Sequence, residues 1–255
     1  MESTSHRYQW TEEERRLLRE SGLVLTPTRR LNFEGRVWHG TLDGKAYVVR
    51  AIPQQEGSQE VIALKTLLSQ PNNPRNHTVP AKIHSGPNAH LLIMPFFTPV
   101  DIFISTTPPL HILLKMIRQI IEGVTYMHEL HIAHVDVAIP NIVVPDSMLA
   151  GTPPLIYFID FGSSRALDAP PEHMHALERY HEFAGHFELP ESPDGPVIMN
   201  PYEYDVYSVG WTIATIVAFY PHYHYYRPIR RGGTSPRALQ TSAPAFKPSA
   251  FHVPP

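Results

Sequence analysis

The chain of 255 residues has no cysteine, no long apolar run and no strong charge of either sign. Without cysteine, disulfides and thiolate metal sites are excluded. The longest candidate for a membrane span, residues 209–220, is too short to cross a bilayer and contains two threonines. The formal net charge of -3 favours no particular partner, and residues 1–6 are polar, unlike a secretory signal. These absences predict an intracellular protein, cytoplasmic or nuclear, with no membrane partner.

The composition nevertheless allows a folded core. Hydrophobic residues make up 42% of the chain, which is enough for one domain or two small lobes. Proline is frequent, at 27 residues, and concentrates in the connections and in the last part of the chain. Residues 221–255 have no acidic side chain and no helical period. We predict that this segment is a disordered basic tail; a basic nucleic-acid contact is the alternative, although no specific nucleic-acid partner is expected.

Two short stretches contain the residues most suited to metal binding and catalysis. Residues 134–141 read H-V-D-V-A-I-P-N and lead into an apolar run, and D-F-G at residues 160–162 ends another apolar run. Two strand-like runs with adjacent carboxylates and an amide can hold three oxygen ligands around one small volume. Such ligands suit Mg²⁺, and phosphoryl transfer needs that metal together with a base. The competing interpretation is a hairpin in which these residues only complete turns.

In this order, the two stretches resemble the catalytic loop, H-R-D-x-x-x-x-N, and the D-F-G metal motif of protein kinases. His134, Asp136 and Asn141 occupy matching positions, and the D-F-G motif matches completely. The chain is similar to the divergent kinase-like domains of mushroom-forming fungi. The resemblance implies an α+β fold with a β-rich N-lobe and a helical C-lobe. We divide the chain into an N-terminal helix (1–22), an N-lobe with its hinge (23–97), a C-lobe expected to be incomplete (98–220) and the tail (221–255).

The resemblance implies a nucleotide site in the N-lobe. Gly35 and Val37 match the end of a glycine-rich phosphate loop, whose two earlier glycines are missing. Arg50 stands where the strand motif V-A-I-K ends in lysine, and Glu60 follows ten residues later, where the helix glutamate that pairs with this lysine belongs. The expected nucleotide contacts come from the phosphate loop, the strand before Arg50 and the hinge; they are Gly35, Val37, Val48, Arg50, Met94 and Phe97. The hinge aromatics fit an ordinary core equally well.

The remaining roles are also implied by the resemblance. ATP and Mg²⁺ would bind between the lobes, with Asn141 and Asp160 as metal ligands. Asp136 would orient the hydroxyl of a protein substrate, supported by Arg50 and Glu60 as the other catalytic residues. Asp205 begins a D-x-W-S-x-G-like segment and would hold the catalytic-loop backbone from below.

Departures from the kinase pattern leave three functions open. Arg50 stands in place of a lysine and carries a planar guanidinium group instead of a compact ammonium group. Ala138 stands where the catalytic-loop lysine belongs. Losing one preorganised charge of this kind costs about 3–4 kcal/mol, or on the order of 10²–10³ in rate. The first function is a slow Ser/Thr-type protein kinase, and the second is a pseudokinase that binds nucleotide or a partner without chemistry. The third is a small-molecule phosphotransferase, which the D-F-G and D-x-W-S-x-G matches disfavour.

Overall fold

A computed structural model describes residues 8–26, 35–55, 58–145, 156–168, 175–177 and 197–225. The fold is α+β, with a β-rich N-lobe and a helical C-lobe, as predicted. The sequence also predicts a loop at residues 145–154, and the resemblance places the end of an activation loop at L-P-E, residues 189–191. Residues 146–154 and 189–191 lie outside the described residues. No helix among the described ranges is long and apolar enough to cross a membrane.

The N-lobe is built on a five-stranded antiparallel sheet with the order β1-β2-β3-β5-β4. Its elements, in chain order, are α1 (Glu12–Glu20), β1 (Val24–Thr26), β2 (Val37–Leu42), β3 (Lys45–Pro53), α2 (Ser58–Leu68), β4 (Lys82–Ser85) and β5 (Ala89–Pro95).

Local sequence signals explain where several of these elements begin and turn. Thr11 caps α1 by accepting from the backbone N–H of Glu14, whose carboxylate accepts from the Thr11 N–H in return. The β2–β3 hairpin turns at Asp43 and Gly44, both with positive φ, as the Asp-Gly pair predicted.

The central strands bury both faces of the sheet. Along β3, Val49 and Ala51 point to one side and Ile52 to the other, following the two-residue period of a strand. The side of Ile52 packs against α2 and the C-lobe core. The opposite side is covered by Trp10 and by Leu18 of α1. Residues near the N-terminus therefore complete the N-lobe core.

The C-lobe places short strands over a central helix. Its elements are β6 (Thr98–Pro99), α3 (Val100–Ser105), α4 (Leu110–Glu129), β7 (Ile132–Ala133), a 3₁₀ turn (Ile139–Asn141), β8 (Ile142–Val144), β9 (Tyr157–Phe158), a second 3₁₀ turn (Phe161–Ser163), β10 (Arg165–Ala166), β11 (His175–Leu177), β12 (Val197–Met199) and α5 (Pro201–Tyr225). The strands β6, β8 and β9 form one small sheet, and β7 pairs with β10. Helix α5 packs against α3 and α4.

The structure differs from the sequence-based expectation in three elements. Residues 79–84 read as a strand in the sequence, but strand β4 begins at Lys82, and the Val79 N–H donates to the carbonyl of Phe158. Helix α3 was not predicted at all. Helix α5 continues through Pro221, where the sequence predicted its end. A proline removes one backbone hydrogen bond, and this loss alone did not stop the helix.

Large apolar side chains are exposed on α5. They are Val206, Tyr207, Val217 and Phe219.

A buried carboxylate on α5 fixes the backbone of the predicted catalytic loop. Asp205 is fully buried and accepts hydrogen bonds from the backbone N–H of His134 at 2.8 Å and of Val135 at 2.7 Å. The ring of His128 lies 3.0 Å from the same carboxylate. These bonds confirm the expected role of Asp205. They also hold Val135, a β-branched residue, at a φ of 63°, a conformation that such residues rarely adopt.

Replacing Gly123 or Gly210 with alanine should change the free energy of unfolding in opposite directions. A Cβ at Gly123 in α4 would lie 2.6 Å from the ring of buried Phe158, so Gly123→Ala should lower the free energy of unfolding by about 1–3 kcal/mol. Gly210 in α5 has no described atom within 4 Å of that position, so Gly210→Ala should stabilise by about 0.5–1 kcal/mol. Denaturant midpoints measure both, and stabilisation by Gly123→Ala would contradict the close packing.

Asp205→Ala should cost at least about 3 kcal/mol, because two buried N–H groups lose their acceptor and the strained loop loses its anchor. The matched control is Val206→Ala, an exposed change at the next position, which should stay within about 0.5 kcal/mol. Urea unfolding of both variants compares them. A loss below about 1 kcal/mol in Asp205→Ala would show that the loop does not depend on this anchor.

Candidate active site

The charged centre of the site is a chain of two ion pairs through Arg50. Its Nη1 atom lies 2.7 Å from Oε1 of Glu60 and 2.7 Å from Oδ1 of Asp160. Arg50 comes from β3, Glu60 from α2 and Asp160 from the turn after β9. The structure thus joins the two N-lobe residues that the sequence paired, and adds the carboxylate of the D-F-G motif.

The two carboxylates experience different environments. Glu60 is only 5% exposed, and burial raises its pKa, an effect that Arg50 opposes. Asp160 is 51% exposed on its side chain. Partial burial raises the pKa of Asp160, but Arg50, together with the Gly162 N–H and His134, lowers it below its ordinary value. Asp160 is therefore ionised at neutral pH.

Gly162 makes room for the Arg50–Asp160 contact. A Cβ built on Gly162 would lie 3.0 Å from Nη2 of Arg50 and 3.2 Å from Oδ1 of Asp160. Asp160 itself has a left-handed backbone (φ 59°, ψ 72°), and its carboxylate accepts from the Gly162 N–H at 3.4 Å. Phe161 turns into the core, with its ring 4.8 Å from that of His134. The turn therefore buries the aromatic ring and directs the carboxylate to Arg50.

Asp136 and Asn141 form a second pair in the catalytic loop. The Asn141 side-chain amide donates to the Asp136 carboxylate at 2.7 Å and to its backbone carbonyl at 3.0 Å. Asn141 is buried, and its backbone N–H closes the 3₁₀ turn on Ala138. The amide nitrogen thus orients Asp136, and the amide oxygen is the atom suited to a metal.

Backbone bonds place the two pairs beside each other. The carbonyl of Asn141 accepts from the N–H of Ile159 at 3.0 Å. The ring of His134 lies 3.2 Å from the Ile159 carbonyl and therefore donates to it. Since Ile159 directly precedes Asp160, the catalytic loop fixes the start of the D-F-G turn.

The expected nucleotide contacts lie along the sheet. Val37 is paired with Arg50 across β2 and β3, and Val48 is paired with Met94 across β3 and β5. The ring of Phe97 stacks on Tyr157 at 5.2 Å and packs against the core. Sequence reasoning did not single out Tyr157, since only the pairing of β6, β8 and β9 brings it to Phe97.

Gly35 is the last of the expected nucleotide contacts. It has a φ of 67°, and its carbonyl accepts from the indole N–H of Trp10 at 2.8 Å. Residues 27–34, which precede it, lie outside the described residues. Like Tyr157, Trp10 was not assigned to the site by sequence reasoning. Its only signal in the sequence was that a tryptophan stands in a polar stretch.

The donors at this site fit Mg²⁺ better than a metal that needs a cage of protein ligands. They are the ionised carboxylate of Asp160 and the amide oxygen of Asn141, both hard oxygen ligands. Within the described ranges, no group of three or more His, Asp or Glu residues could hold a metal ion. Magnesium usually takes one or two carboxylates and completes its shell with water and phosphate oxygens.

Comparisons with known proteins identify the fold and the family of the chain. The solved structure of the kinase PK-1 from Cydia pomonella granulovirus matches with a TM-score of 0.51 and 15% sequence identity, covering 80% of this chain and 71% of the viral chain. At this identity the match shows the fold. A search of curated proteins gave no match. The family model of the protein kinase domain matches residues 100–234, more than half of the 255 residues. The chain therefore belongs to the protein kinase domain family.

Proposed function

We propose that the chain transfers the γ-phosphoryl group of Mg·ATP to a Ser or Thr hydroxyl of a protein. The observation that carries this proposal is the double contact of Arg50 with Glu60 and Asp160. In protein kinases, the basic residue of the third strand must pair with the helix glutamate, and the D-F-G aspartate must reach the metal. The Arg50–Glu60 pair supports the first requirement, and Asp160, the carboxylate of the second, lies beside the same guanidinium.

The residues have separate tasks in this reaction. Bound Mg²⁺ would neutralise the charge that develops on the phosphate oxygens. Asp160 and Asn141 would hold it, and Arg50 would contact the phosphates while Glu60 keeps the guanidinium in place. Asp136 is half-buried and oriented by the Asn141 amide, so that it can accept the proton of the attacking hydroxyl.

Ala138 makes the proposed reaction slow. It is buried and uncharged, so the loop supplies no cation at this position beside the transferring phosphate. The absence of such a charge costs on the order of 10²–10³ in rate. Protein kinases commonly turn over at about 1–100 per second, so a measurable slow reaction is still expected.

A pseudokinase is the second candidate, and the geometry of Arg50 favours it. The guanidinium that binds Glu60 also lies 2.7 Å from the carboxylate required for the metal. If Arg50 competes successfully for Asp160, nucleotide binds without phosphoryl transfer. Nucleotide binding without turnover would select this function. The similarity to fungal kinase-like domains stays a prediction.

Asp160→Asn should abolish the Mg²⁺-dependent part of the stabilisation by ATP, because the variant removes the charged metal ligand. Thermal shifts with ATP, with and without Mg²⁺, measure this effect. The control is Asp168→Asn, which neutralises an exposed carboxylate eight positions further along the chain and should keep the full shift. An unchanged Mg·ATP shift in Asp160→Asn would refute the metal assignment.

Activity should not depend on phosphorylation of the segment after the D-F-G motif. The residue before Asp136 is Val135, which cannot pair with a phosphate as an arginine would. Between residues 162 and 191 the hydroxyl groups are Ser163, Ser164 and Tyr180. Both serines are buried, and Ser164 donates to the carbonyl of Phe161 at 2.6 Å.

Phosphatase treatment should therefore leave turnover unchanged, as should Tyr180→Phe. Turnover is measured with a general acceptor protein before and after treatment, with removal of phosphate verified by intact mass. Loss of activity on dephosphorylation would contradict this expectation and point to Tyr180 or to a site elsewhere in the chain.

A further inference from the structure

Asp136 lies between two backbone contacts to helix α5. On one side of it, the N–H of Val135 donates to the carboxylate of Asp205 at 2.7 Å. On the other side, the carbonyl of Val137 accepts from the hydroxyl of Thr212 at 3.1 Å, across 75 positions of the sequence. Both residues that flank the proposed base are thus held by the same helix.

The contact of Thr212 differs from the usual contact of a threonine inside a helix. Thr66 in α2 and Thr215 in α5 each donate to the carbonyl four positions earlier in their own helix, at 3.0 Å and 2.8 Å. Thr212 donates to the catalytic loop instead. It is 1% exposed and Val137 is fully buried, so the Val137 carbonyl would lose this donor in a place that water does not reach.

Thr212 shares one face of α5 with Asp205 and Ser208. The three residues are spaced by three and four positions, which places them on the same side of the helix, and all are buried. The hydroxyl of Ser208 has no hydrogen-bond partner within the described part of the chain. Of the two buried hydroxyl groups on this face, the one at Thr212 therefore makes the contact with the loop.

The loop needs support on both sides of Asp136 because its backbone is strained. Val135 has a φ of 63°, a conformation that persists only where the surrounding structure fixes it. The carboxylate on α5 fixes the backbone before Asp136. Without the Thr212 hydroxyl, the peptide group after Asp136 could turn, and the Asp136 carboxylate would turn with it.

We propose that Thr212 is a positioning residue for Asp136. The proposal rests on the proposed function, because it gives Thr212 a part in aligning the attacking hydroxyl. Helix α5 packs against α3, α4 and β7 of the C-lobe, whereas the expected nucleotide contacts come from β2, β3, β5 and the hinge. Loss of the Thr212 contact therefore lowers the rate of phosphoryl transfer and leaves the binding of ATP in place.

Thr212→Val removes the hydroxyl and keeps nearly the same shape. With casein as the acceptor protein, kcat should fall about tenfold, because a small misalignment of reacting groups lowers the rate strongly, while KM for ATP stays within about twofold. The backbone amides of residues 135–141 should exchange hydrogen for deuterium faster in the absence of nucleotide. Steady-state kinetics and hydrogen-exchange mass spectrometry measure these effects.

Three further variants separate positioning from general stability. Thr212→Ser keeps the hydroxyl and should recover most of the lost rate. Thr215→Val makes the same substitution at a hydroxyl that bonds the backbone of its own helix, and Ser208→Ala removes the buried hydroxyl that has no partner among the described residues. Both of these controls should keep the kcat of the parent chain. If Thr212→Val does not fold, Thr212→Cys replaces it, because a thiol is only a weak donor.

Unchanged kcat or unchanged exchange in Thr212→Val would overturn the proposal. An equal loss in Thr212→Ser would also overturn it, because the methyl group and not the hydroxyl would then be responsible. An equal loss in Thr215→Val would show that the effect is general destabilisation of α5. If the parent chain transfers no phosphoryl group, the proposed function fails, and the exchange of residues 135–141 alone decides whether Thr212 holds the loop.

Discussion

Glu60 is a buried carboxylate, and Arg50, which lies beside it, stabilises its charge. Burying a single charge costs several kcal/mol, and removing one partner of a buried pair is strongly destabilising. Glu60 sits on α2 and Arg50 on β3, so the position of the helix against the sheet is fixed by this contact. The same guanidinium reaches Asp160 in the C-lobe. The arrangement of sheet, helix and D-F-G turn therefore depends on one side chain.

Both contacts come from a single nitrogen of Arg50, Nη1, which lies 2.7 Å from Glu60 and 2.7 Å from Asp160. An arginine also carries a second terminal nitrogen, Nη2, in a planar fork, whereas a lysine presents one compact ammonium group. The absence of a side chain at Gly162 lets the fork approach Asp160 closely. In the proposed function, these contacts would oppose nucleotide binding, because phosphates and metal would compete for the same guanidinium and carboxylate. The balance between the contacts would separate a slow kinase from a pseudokinase.

The features that the sequence indicates most clearly are those that depend on residues close together in the chain. The capping box of Thr11 and Glu14, the turn at Asp43 and Gly44 and the helical period of α4 are all readable in the sequence, because each rests on contacts over a few positions. The kinase motifs likewise predicted the fold, because their order is readable along the chain. The pairing of Arg50 with Glu60 followed from the motif, although the residues are on different elements.

Contacts between distant segments were not predictable in this way. The hydrogen bond from Trp10 to Gly35 joins two residues with no shared pattern. Val79 begins a segment that reads as a strand, but its N–H donates to the carbonyl of Phe158 in the other lobe. At Val79 a tertiary contact overrode the local pattern, and no spacing in the sequence indicates either contact.

The anchoring of Val135 by Asp205 affects the order in which parts of the chain fold during synthesis. The two residues are 70 positions apart, and the hydrogen bond between them helps to hold the strained backbone at Val135. During synthesis at about 5–20 residues per second, roughly 4–14 s separate the appearance of the loop from that of its anchor. Over this interval the loop is present without the carboxylate that shapes it. The catalytic loop is thus completed late, when α5 has been made and packed beneath it.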